Sequence, residues 1–493
     1  MAEFVGRERE MSRLEDIWDA PSKRTVKVFG RRRIGKTRLI KEFCRSRPSI
    51  YIGCIRGSIS DNIHAIVSAL NLFDGGDRDD PAFLSDALRE LSILCRASKI
   101  VTVFDELPYL IESGQQTASI LQHFIDDVSE NTESMIIVCG SSIAMMNRET
   151  KDYNRPLYGR FAHSLKVEPL TMNQCAAFHP DMPEMDRLRL YLTIGGIPEF
   201  HLDGSIGTYR EYIETHFLSD EADMADEAEK LIGGELAPLG RYLSVVNAIC
   251  DGSTSIKTIA ERCDMERTMC SRCLEDLRRI GVVGIVKPMM DAPERPVFRI
   301  EDPLVAFCQS VVRESDAFLL KDPSERFDRI EHRLSSFLES RFEDLCMSFV
   351  IDNWRCIDIG KWWGQDRMKT VREIDIVARI LEGDTEAAML GECKFRNRRM
   401  STGVFKELLE NSELVGTDLT RRYVLFSASG FEEELHDLKS DGAVTLVGPE
   451  EIMKWGLNRG CCRKDDRISD GTDSFFWVSN CEIRPDDSRH MIR

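Results

Sequence analysis

Short apolar runs alternate with helical patterns along the first part of the chain. The runs cover residues 25–29, 49–52, 100–104 and 135–139, and the stretches between them repeat apolar positions at helical spacing. Strands that are buried on both faces, as in a parallel sheet covered by helices, have such continuous apolar sequences. The pattern therefore predicts an α/β domain with a parallel sheet over residues 1–172.

Amphipathic segments without strand-like runs follow over residues 173–236. Two glycine pairs interrupt them, Gly195-Gly196 and Gly233-Gly234. Apolar positions at helical spacing, separated by glycine breaks, are typical of short helices. We therefore expect a helical lid subdomain in this part of the chain.

Residues 237–302 combine helical and strand patterns in a fixed order. A first helix is followed by a second over 255–263 and a longer one over 266–280, and two strands then cover 282–287 and 296–300. This order predicts a winged helix-turn-helix.

The remaining chain divides into three parts. Residues 303–333 are predicted to form a charged helical connector, 334–456 a second α/β unit, and 457–493 a polar tail without periodicity. At about 150 residues per domain, a chain of 493 residues is long enough for roughly three domains, each with its own core. The predicted fold is thus a multi-domain α/β protein.

Composition and charge narrow the function classes. With 66 Lys and Arg against 84 Asp and Glu, the formal net charge is −18, which excludes a wholly basic nucleic-acid coat protein. A contact with DNA would need a local basic patch. No apolar run approaches the ~20 residues of a membrane span, and the acidic start of the chain lacks the basic flank of a signal peptide. The 16 cysteines follow no repeating spacing, as expected for buried thiols in a reducing, cytoplasmic compartment.

A glycine-rich motif follows the first predicted strand and precedes a helical stretch. It fits the G-x-x-x-x-G-K-[ST] pattern of phosphate-binding loops, in which backbone N–H groups and a helix N-terminus surround the phosphates. Lys36 would reach the β- and γ-phosphates, and the Thr37 hydroxyl would ligate Mg²⁺. The residues predicted to bind ATP here are Gly30, Arg31, Arg32, Arg33, Ile34, Gly35, Lys36, Thr37 and Arg38.

Two adjacent acids end the third apolar run. Asp105 and Glu106 follow a buried strand, at the edge where a parallel sheet binds its ligands. Asp105 would hold Mg²⁺ through water, and Glu106 would orient and deprotonate the attacking water. The fourth run ends in Gly140-Ser141-Ser142. The Ser141 hydroxyl either touches the γ-phosphate or the attacking water, or belongs to an ordinary turn at a strand end.

Several motifs together resemble the archaeal-type ATPase family, of the AAA+-related STAND group of P-loop NTPases. They are Phe4-Val5-Gly6-Arg7-Glu8, the loop 30–37, Asp105-Glu106, Gly140-Ser141-Ser142, Tyr158-Gly159-Arg160 and Gly195-Gly196-Ile197-Pro198. The resemblance extends to about Gly456. It implies a winged helix and a restriction-endonuclease-like C-terminal domain beside the ATPase core.

The resemblance also implies roles for residues outside the loop. The Gly6-Arg7-Glu8 segment would lie near the adenine, and Pro198 would touch it from the lid. Arg160 resembles an arginine that senses the γ-phosphate, and an ion pair with a surface acid is the alternative that the sequence leaves open.

The longer helix of the predicted winged helix has two different faces. Cys270, Cys273, Leu274 and Leu277 form one apolar stripe, which favours buried thiols over a zinc site. The opposite face carries side chains suited to DNA, namely Thr268, Ser271, Arg272, Arg278 and Arg279. A role as a brace between domains is the alternative.

The last α/β unit resembles the PD-(D/E)xK nuclease core. It contains, in order, a helix with Phe342-Glu343, a Trp362-Trp363-Gly364 turn, a strand with Asp375, and Glu392-Cys393-Lys394. Because side chains alternate along a strand, Glu392 and Lys394 share one face, where Asp375 can meet them. Asp375 and Glu392, with Glu343 as a third carboxylate, would hold Mg²⁺, and Lys394 would stabilise the developing charge. Such a fold either cleaves DNA or persists as a binding module.

These features predict a cytoplasmic, Mg²⁺-dependent ATPase with Lys36, Glu106 and Arg160 as catalytic residues, whose nucleotide state controls the appended domains. ATP and DNA are the expected partners, without a membrane, and self-association is a further option. Asp375, Glu392 and Lys394 would add a metal-dependent DNase activity. The alternatives are a nucleotide-switched DNA-binding regulator and a signalling scaffold, each with a silent nuclease-like domain.

Overall fold

The computed structural model describes residues 4–286, 288–290, 297–313, 320–438 and 444–455, and the predicted tail 457–493 lies outside them. The described chain forms two five-stranded sheets and one two-stranded sheet. Helices pack around both larger sheets, so the protein is a mixed α/β chain with two separate sheets. No helix in the described ranges is long and apolar enough to cross a membrane.

The first sheet is parallel. Its strands are β1 (Thr25–Phe29), β2 (Ser49–Gly53), β3 (Val101–Asp105), β4 (Met135–Gly140) and β5 (His163–Lys166), in the order β2-β3-β4-β1-β5. The first seven helices belong to this domain: α1 (Glu8–Asp19), α2 (Lys36–Cys44), α3 (Ile59–Asp74), α4 (Leu84–Ala97), α5 (Leu107–Glu112), α6 (Thr117–Asn131) and α7 (Ile143–Lys151). Every residue of β1, β3 and β4 is buried, which explains their continuous apolar sequences. β5 was not predicted, because it is an edge strand with Leu165 as its single buried residue.

Helices dominate the next segment, as predicted for a lid. They are α8 (Met172–Ala176), α9 (Glu184–Ile194), α10 (Tyr209–Ile213) and α11 (Glu227–Gly233), with a 3-10 helix over Pro198–His201 and a π-helix over Glu214–Leu218. Gly196 allows this segment to approach the chain beyond β5 closely, because a Cβ at Gly196 would lie 2.0 Å from the Leu170 carbonyl oxygen. The Leu170 N–H donates to the Gly196 carbonyl oxygen at 2.8 Å.

A small module of three helices and a hairpin follows, in the predicted order. Its elements are α12 (Leu239–Cys250), α13 (Ile256–Arg262), α14 (Arg267–Arg279), β6 (Val283–Val286) and β7 (Val297–Ile300), and the two strands are antiparallel. The apolar stripe of α14 is buried as expected, with Cys270, Cys273, Leu274 and Leu277 each at most 2% exposed.

One long helix leads into the second sheet. After α15 (Pro303–Phe307) and a π-helix over Cys308–Val312, α16 runs from Pro323 to Asn353. The domain boundary predicted between residues 333 and 334 falls inside α16. The helix continues there because its buried stripe runs without a break from Phe327 to Phe349.

The second sheet is mixed, with the order β12-β11-β10-β9-β8. Its elements are β8 (Cys356–Gln365), β9 (Val371–Glu382), β10 (Thr385–Lys394), α17 (Thr402–Ser412), β11 (Thr420–Ser427), α18 (Glu433–Leu438), β12 (Val444–Val447) and α19 (Pro449–Lys454). β9 is antiparallel to both β8 and β10, whereas β10, β11 and β12 are parallel. The turn predicted at Trp362-Trp363-Gly364 is wrong, because β8 continues through these residues after a bulge. Trp362, 3% exposed, fills the core on one side of the sheet.

Candidate functional site

The phosphate-binding loop connects β1 to α2, and its backbone depends on two glycines. A Cβ at Gly30 would lie 2.5 Å from the Val167 carbonyl oxygen, so a larger residue does not fit. Gly35 has a φ of 91°, in the left-handed region that glycine adopts without strain. Ile34 is fully buried and anchors the loop in the core. The loop thus stands at the carboxyl end of β1, in front of the N-terminus of α2.

Lys36 lies inside the loop. Its side chain is buried, and Nζ donates to the carbonyl oxygens of Gly30 at 3.0 Å and Arg31 at 2.9 Å. Burial lowers the pKa of Lys36, while the nearby carboxylates of Glu106 and Asp105 act in the opposite direction. The Lys36 ammonium group thus donates to two carbonyl oxygens of the loop. A phosphate bound in the loop would compete with these two oxygens for the same hydrogen bonds.

The two predicted Mg²⁺ ligands of this domain meet. The Thr37 hydroxyl donates to Asp105 Oδ2 at 2.8 Å, and the Tyr51 hydroxyl donates to the same oxygen. Hydroxyl and carboxylate oxygens are the ligands that Mg²⁺ prefers, so the residues present fit this ion. Sequence reasoning missed Tyr51. Its signal was the position near the end of β2, whose Gly53 pairs with Asp105 on the neighbouring strand.

Glu106 has a strained backbone and a defined partner. Its φ is 56°, a conformation that costs a non-glycine residue about 1–3 kcal/mol and is concentrated at functional sites. Glu106 Oε2 accepts hydrogen bonds from the Ser141 backbone N–H at 3.1 Å and from Ser141 Oγ at 2.9 Å. Ser141 is therefore a direct contact of the predicted general base.

The loop arginines contact acids of other parts of the chain. Arg31 Nη1 lies 2.5 Å from Oδ2 of Asp302, which caps α15 and is 4% exposed. Arg33 forms ion pairs with Glu199, at 3.2 Å, and with Glu227 of α11. Two of the arginines predicted to bind ATP thus have their charges compensated by protein carboxylates.

The lid comes close to the loop at two further points. A Cβ at Gly35 would lie 3.9 Å from Pro198 Cγ, which places Pro198 beside the loop. Its contact with the adenine, which the family resemblance implied, stays a prediction. Glu235 lies beyond α11 and contacts the Ser142 side chain, and burial raises its pKa while Lys36 and Arg32 lower it. Sequence reasoning missed Glu235, whose signal was an acid directly after the Gly233-Gly234 break. Arg38 is exposed on α2.

The Arg7 side chain contacts the backbone of the phosphate-binding loop. Its side chain is 5% exposed, and Nη2 donates to the Ile34 carbonyl oxygen at 2.8 Å, while Nη1 donates to the Glu168 carbonyl oxygen at 2.5 Å. Nη1 also contacts Glu10 on the same helix, at 2.9 Å. The segment that the resemblance placed near the adenine therefore also ties the loop to the chain beyond β5.

The structure does not bring Arg160 to the loop. The Arg160 carbonyl oxygen accepts a hydrogen bond from Thr25, the first residue of β1, whereas the loop follows the last residue of that strand. Arg160 Nε lies 2.8 Å from Asp126 Oδ1 on α6. The prediction that Arg160 senses the γ-phosphate is therefore wrong within one chain. Arg160 instead forms an ion pair with Asp126 at the opposite edge of the sheet.

A second cluster of charged residues lies on β8, β9 and β10. The Cys393 backbone N–H donates to Asp375 Oδ2 at 3.0 Å, and Lys394 Nζ lies 2.5 Å from Glu392 Oε1. Lys361 Nζ, which sequence reasoning missed, lies 2.6 Å from Glu343 and 3.2 Å from Glu373. Its signal was a lysine at the bulge of β8, beside the tryptophan pair.

The carboxyl groups of this cluster influence one another. Burial raises the pKa of Glu392 to about 7, and Asp375 contributes in the same direction. Burial also raises the pKa values of Asp375 and Glu343. In the part of the chain that the structure describes, no three His, Cys, Asp or Glu side chains stand close enough to hold a metal ion. Each of the three predicted ligands has another partner instead: Glu343 contacts Lys361, Asp375 accepts from the Cys393 N–H, and Glu392 contacts Lys394.

Comparisons with known proteins agree with the geometry of the first site. Residues 4–200 match a family described as an ATPase domain predominantly from Archaea. Residues 307–406 match a second family, described as archaeal and bacterial proteins of unknown function. An uncharacterized protein of Methanocaldococcus jannaschii is 23% identical over 431 residues, which are 85% of this chain and 94% of that protein.

Two solved structures are also similar. The Walker-type ATPase of Pyrococcus abyssi is 23% identical, with a TM-score of 0.49 over 62% of this chain and 96% of that one. The ORC2 protein of Aeropyrum pernix, solved as ADPNP and ADP complexes, is 12% identical, with a TM-score of 0.42 over 67% and 95%. On the family match, together with the loop and the acids that meet in front of it, residues 4–200 of this chain are an ATPase domain of the archaeal type.

Proposed function

We propose that the protein binds Mg²⁺-ATP at the loop 30–37 and hydrolyses the γ-phosphate. The observation that carries this proposal is that three sets of hydrogen bonds lie at adjoining strand ends. They are the bonds of the buried Lys36 inside the loop, the Thr37–Asp105 bond, and the Glu106–Ser141 bonds. These are the groups that in-line phosphoryl transfer to water needs.

Each group has one task in the proposed reaction. The loop N–H groups and the N-terminus of α2 bind the phosphates, and Lys36 turns from the carbonyl oxygens of Gly30 and Arg31 to the γ-phosphate. Glu106 orients the attacking water and accepts its proton. Thr37 and Asp105 would hold Mg²⁺, which when bound neutralises charge on the β- and γ-phosphate oxygens.

Two substitutions test this proposal. Glu106→Gln should lower the ATP hydrolysis rate by roughly 10²–10⁴-fold and leave binding of an ATP analogue in place, because the amide cannot accept the proton. Lys36→Ala should abolish hydrolysis and weaken nucleotide binding. Glu112→Gln, at the end of α5, is the matched control and should hydrolyse ATP at the wild-type rate. An unchanged rate of ATP hydrolysis in a normally folded Lys36→Ala variant would contradict the proposal.

We further propose that the nucleotide state controls the appended domains. The pairs of Arg31 with Asp302 and of Arg33 with Glu199 and Glu227 support this, because they connect the loop to the lid and to the start of α15. A triphosphate in the loop competes with these carboxylates for the same guanidinium groups. Nucleotide binding would therefore weaken the contacts that hold the lid and the following module in place.

In this scheme α12–α14 and the β6–β7 hairpin form a winged helix that acts as a brace. Pro288 bridges to Lys361 of β8, and the Met289 N–H donates to the Lys361 carbonyl oxygen at 2.9 Å. Met289 is 7% exposed and packs in the same core as Trp362. These contacts support the bracing alternative for this module. A reducing, cytoplasmic location is part of this proposal, on the 16 cysteines that follow no repeating spacing.

Metal-dependent DNA cleavage by the second sheet is a second candidate function. The observation that favours it is the hydrogen bond from Cys393 to Asp375, which brings Asp375 beside Glu392 and Lys394. We expect cleavage of linear, supercoiled or single-stranded DNA with Mg²⁺ or Mn²⁺, dependent on ATP, that is lost in Glu392→Ala. Glu386→Ala, an exposed position on the same strand, should cleave normally. Without cleavage of any substrate, the domain is a binding module and the protein a nucleotide-switched regulator.

A further inference from the structure

One edge of the second sheet carries basic side chains that form no ion pair within the described residues. β9 and β10 are antiparallel, so the turn at 366–370 before β9 and the loop at 395–399 after β10 lie at the same edge. The carboxyl end of β10, with Glu392 and Lys394, is also there. A basic edge in a chain with a net charge of −18 is a local patch that needs an explanation.

Four cations at this edge are exposed, and within the described residues they have no hydrogen bond or ion pair through their side chains: Arg367, Lys369, Arg398 and Arg399. Four of the acids nearby are each within 4.0 Å of a cation. The pairs are Glu392 with Lys394, Glu373 with Lys361, Asp366 with Arg372, and Glu339 with Arg396. Glu432 is a further exposed acid beside the loop, since its N–H donates to the Met400 carbonyl oxygen at 3.0 Å. Among the described residues, none of the four exposed cations has a carboxylate within 4.0 Å.

Both segments are held in defined conformations. Asp366 Oδ1 accepts from the backbone N–H groups of Met368 and Thr370, each at 2.9 Å, which fixes the turn. The loop is tied at both ends, since Ser429 Oγ donates to the Arg396 carbonyl oxygen at 2.5 Å and the Met400 N–H donates to the Gly430 carbonyl oxygen at 2.9 Å. Met368 is 82% exposed at the tip of the turn, between Arg367 and Lys369.

We propose that this edge is the surface that binds duplex DNA, with Arg398 and Arg399 on the phosphates and the turn around Met368 in a groove. We call these residues, with Arg367 and Lys369, the sheet-edge surface. An apolar side chain flanked by cations is the arrangement with which proteins enter a groove and contact its phosphate walls. The inference rests on the proposed action on DNA and is independent of the ATP site.

The face of α14 that the sequence analysis selected for DNA is less suited to this role. Arg279 forms ion pairs with Glu275, at 2.6 Å, and with Asp276, at 3.3 Å. The cleft at the turn before α14 is lined by the three acids Glu261, Asp264 and Glu266 beside one arginine, Arg267. Phosphates would be repelled from this cleft. The contacts of Pro288 and Met289 with β8 also occupy the chain directly after β6, in the connection of the hairpin that would accompany α14 onto DNA.

Fluorescence anisotropy with the full chain, in EDTA so that no cleavage occurs, tests the inference on labelled duplex and single-stranded DNA. The double variant Arg398→Glu/Arg399→Glu should bind the duplex at least about tenfold more weakly at physiological salt. The slope of log K against log salt should also fall by about two. Arg367→Glu/Lys369→Glu should be weakened in the same way. Arg267→Glu/Arg272→Glu, on α14, is the matched control and should stay close to wild type.

Thermal unfolding and ATP hydrolysis of each variant provide the check on folding, and both should match wild type. The inference is overturned if the α14 variant loses affinity and the sheet-edge variants do not, if single strands bind more tightly than the duplex, or if wild type binds neither. In the last case intact ATP hydrolysis shows that only the DNA proposal has failed. Absent hydrolysis with normal, sheet-edge-dependent DNA binding would instead count against the ATPase proposal alone.

Discussion

At the scale of single residues, the Arg7 side chain has three partners near the loop. It is buried, and it donates to the carbonyl oxygens of Ile34 in the loop and Glu168 beyond β5. Its own φ is 75°, so the backbone is strained to deliver this side chain. Arg7 is therefore a positioning residue, since it acts on the loop through the backbone carbonyl of Ile34.

We expect Arg7→Met to lower the free energy of unfolding by about 1–3 kcal/mol, because two buried carbonyl oxygens lose their donor while the side-chain length is kept. Affinity for an ATP analogue should fall with it, and kcat should change less than KM. Urea unfolding and titration with the analogue measure these effects. Arg9→Met, an exposed neighbour on the same helix, should behave as wild type. Equal stability of Arg7→Met and Arg9→Met would contradict the positioning role of Arg7.

At the scale of elements, the lid contains two buried histidines. His179 Nε2 lies 3.2 Å from His201 Nδ1, and His201 Nε2 lies 2.7 Å from the carbonyl oxygen of Gly195. Gly195 and Gly196 lead directly to Pro198 beside the loop. Burial lowers the pKa of His201 to about 4, and the neighbouring His179 acts in the same direction. The lid is thus built around a histidine that must remain neutral.

The sign of the pH effect follows from this shift. Above the ordinary histidine pKa of about 6.5, His201 is neutral in both states, and its contribution to stability is fully present. As the pH falls from about 6.5 to 4, the unfolded chain binds the proton first, and up to about 3 kcal/mol of stability is lost. Urea unfolding of wild type and His201→Asn should therefore give a stability difference that shrinks with falling pH. A stability difference between wild type and His201→Asn that does not change with pH would contradict the assignment of this pH effect to His201.

At the scale of the whole molecule, the loop connects parts of the chain that are far apart in sequence. Arg33 reaches Glu227 of α11, Arg31 reaches Asp302 before α15, and Met289 connects the hairpin to Trp362 of β8. α16 then packs against both the lid and the second sheet, where Arg326 donates to the Leu218 carbonyl oxygen and Lys361 contacts Glu343. A change at the loop therefore has a continuous set of contacts through which to act.

Removing the acids from the lid tests this coupling. The variant Glu199→Gln/Glu227→Gln should bind ATP severalfold more tightly, because the carboxylates no longer compete with phosphate for Arg33. Its lid should also be cut faster by protease without nucleotide. Glu229→Gln, an exposed acid of α11, serves as the control for both measurements. Weaker ATP binding in the double variant would mean that these acids shape the loop instead of competing with the nucleotide.

Local sequence patterns were sufficient to predict the parallel sheet of the first domain and the loop that follows β1. The loop motif is contiguous, and β1, β3 and β4 are buried on both faces, so each gives a signal that does not depend on distant residues. The same holds for the stripe of α14 and the order of elements in its module. β5 and the course of β8 through Trp362 were missed, because an edge strand and a bulge depend on neighbours in space.

The sequence by itself thus determined the α/β class, the loop, and the acids Asp105 and Glu106, because strand ends in a parallel sheet share an edge. Only the tertiary structure decided where a charged side chain finds its partner. Arg160 lies at the opposite edge from the loop, and Tyr51 and Glu235 join the site from other elements. Spacing along the chain specifies a strand or a helix, whereas the partners of a side chain depend on how those elements pack in three dimensions.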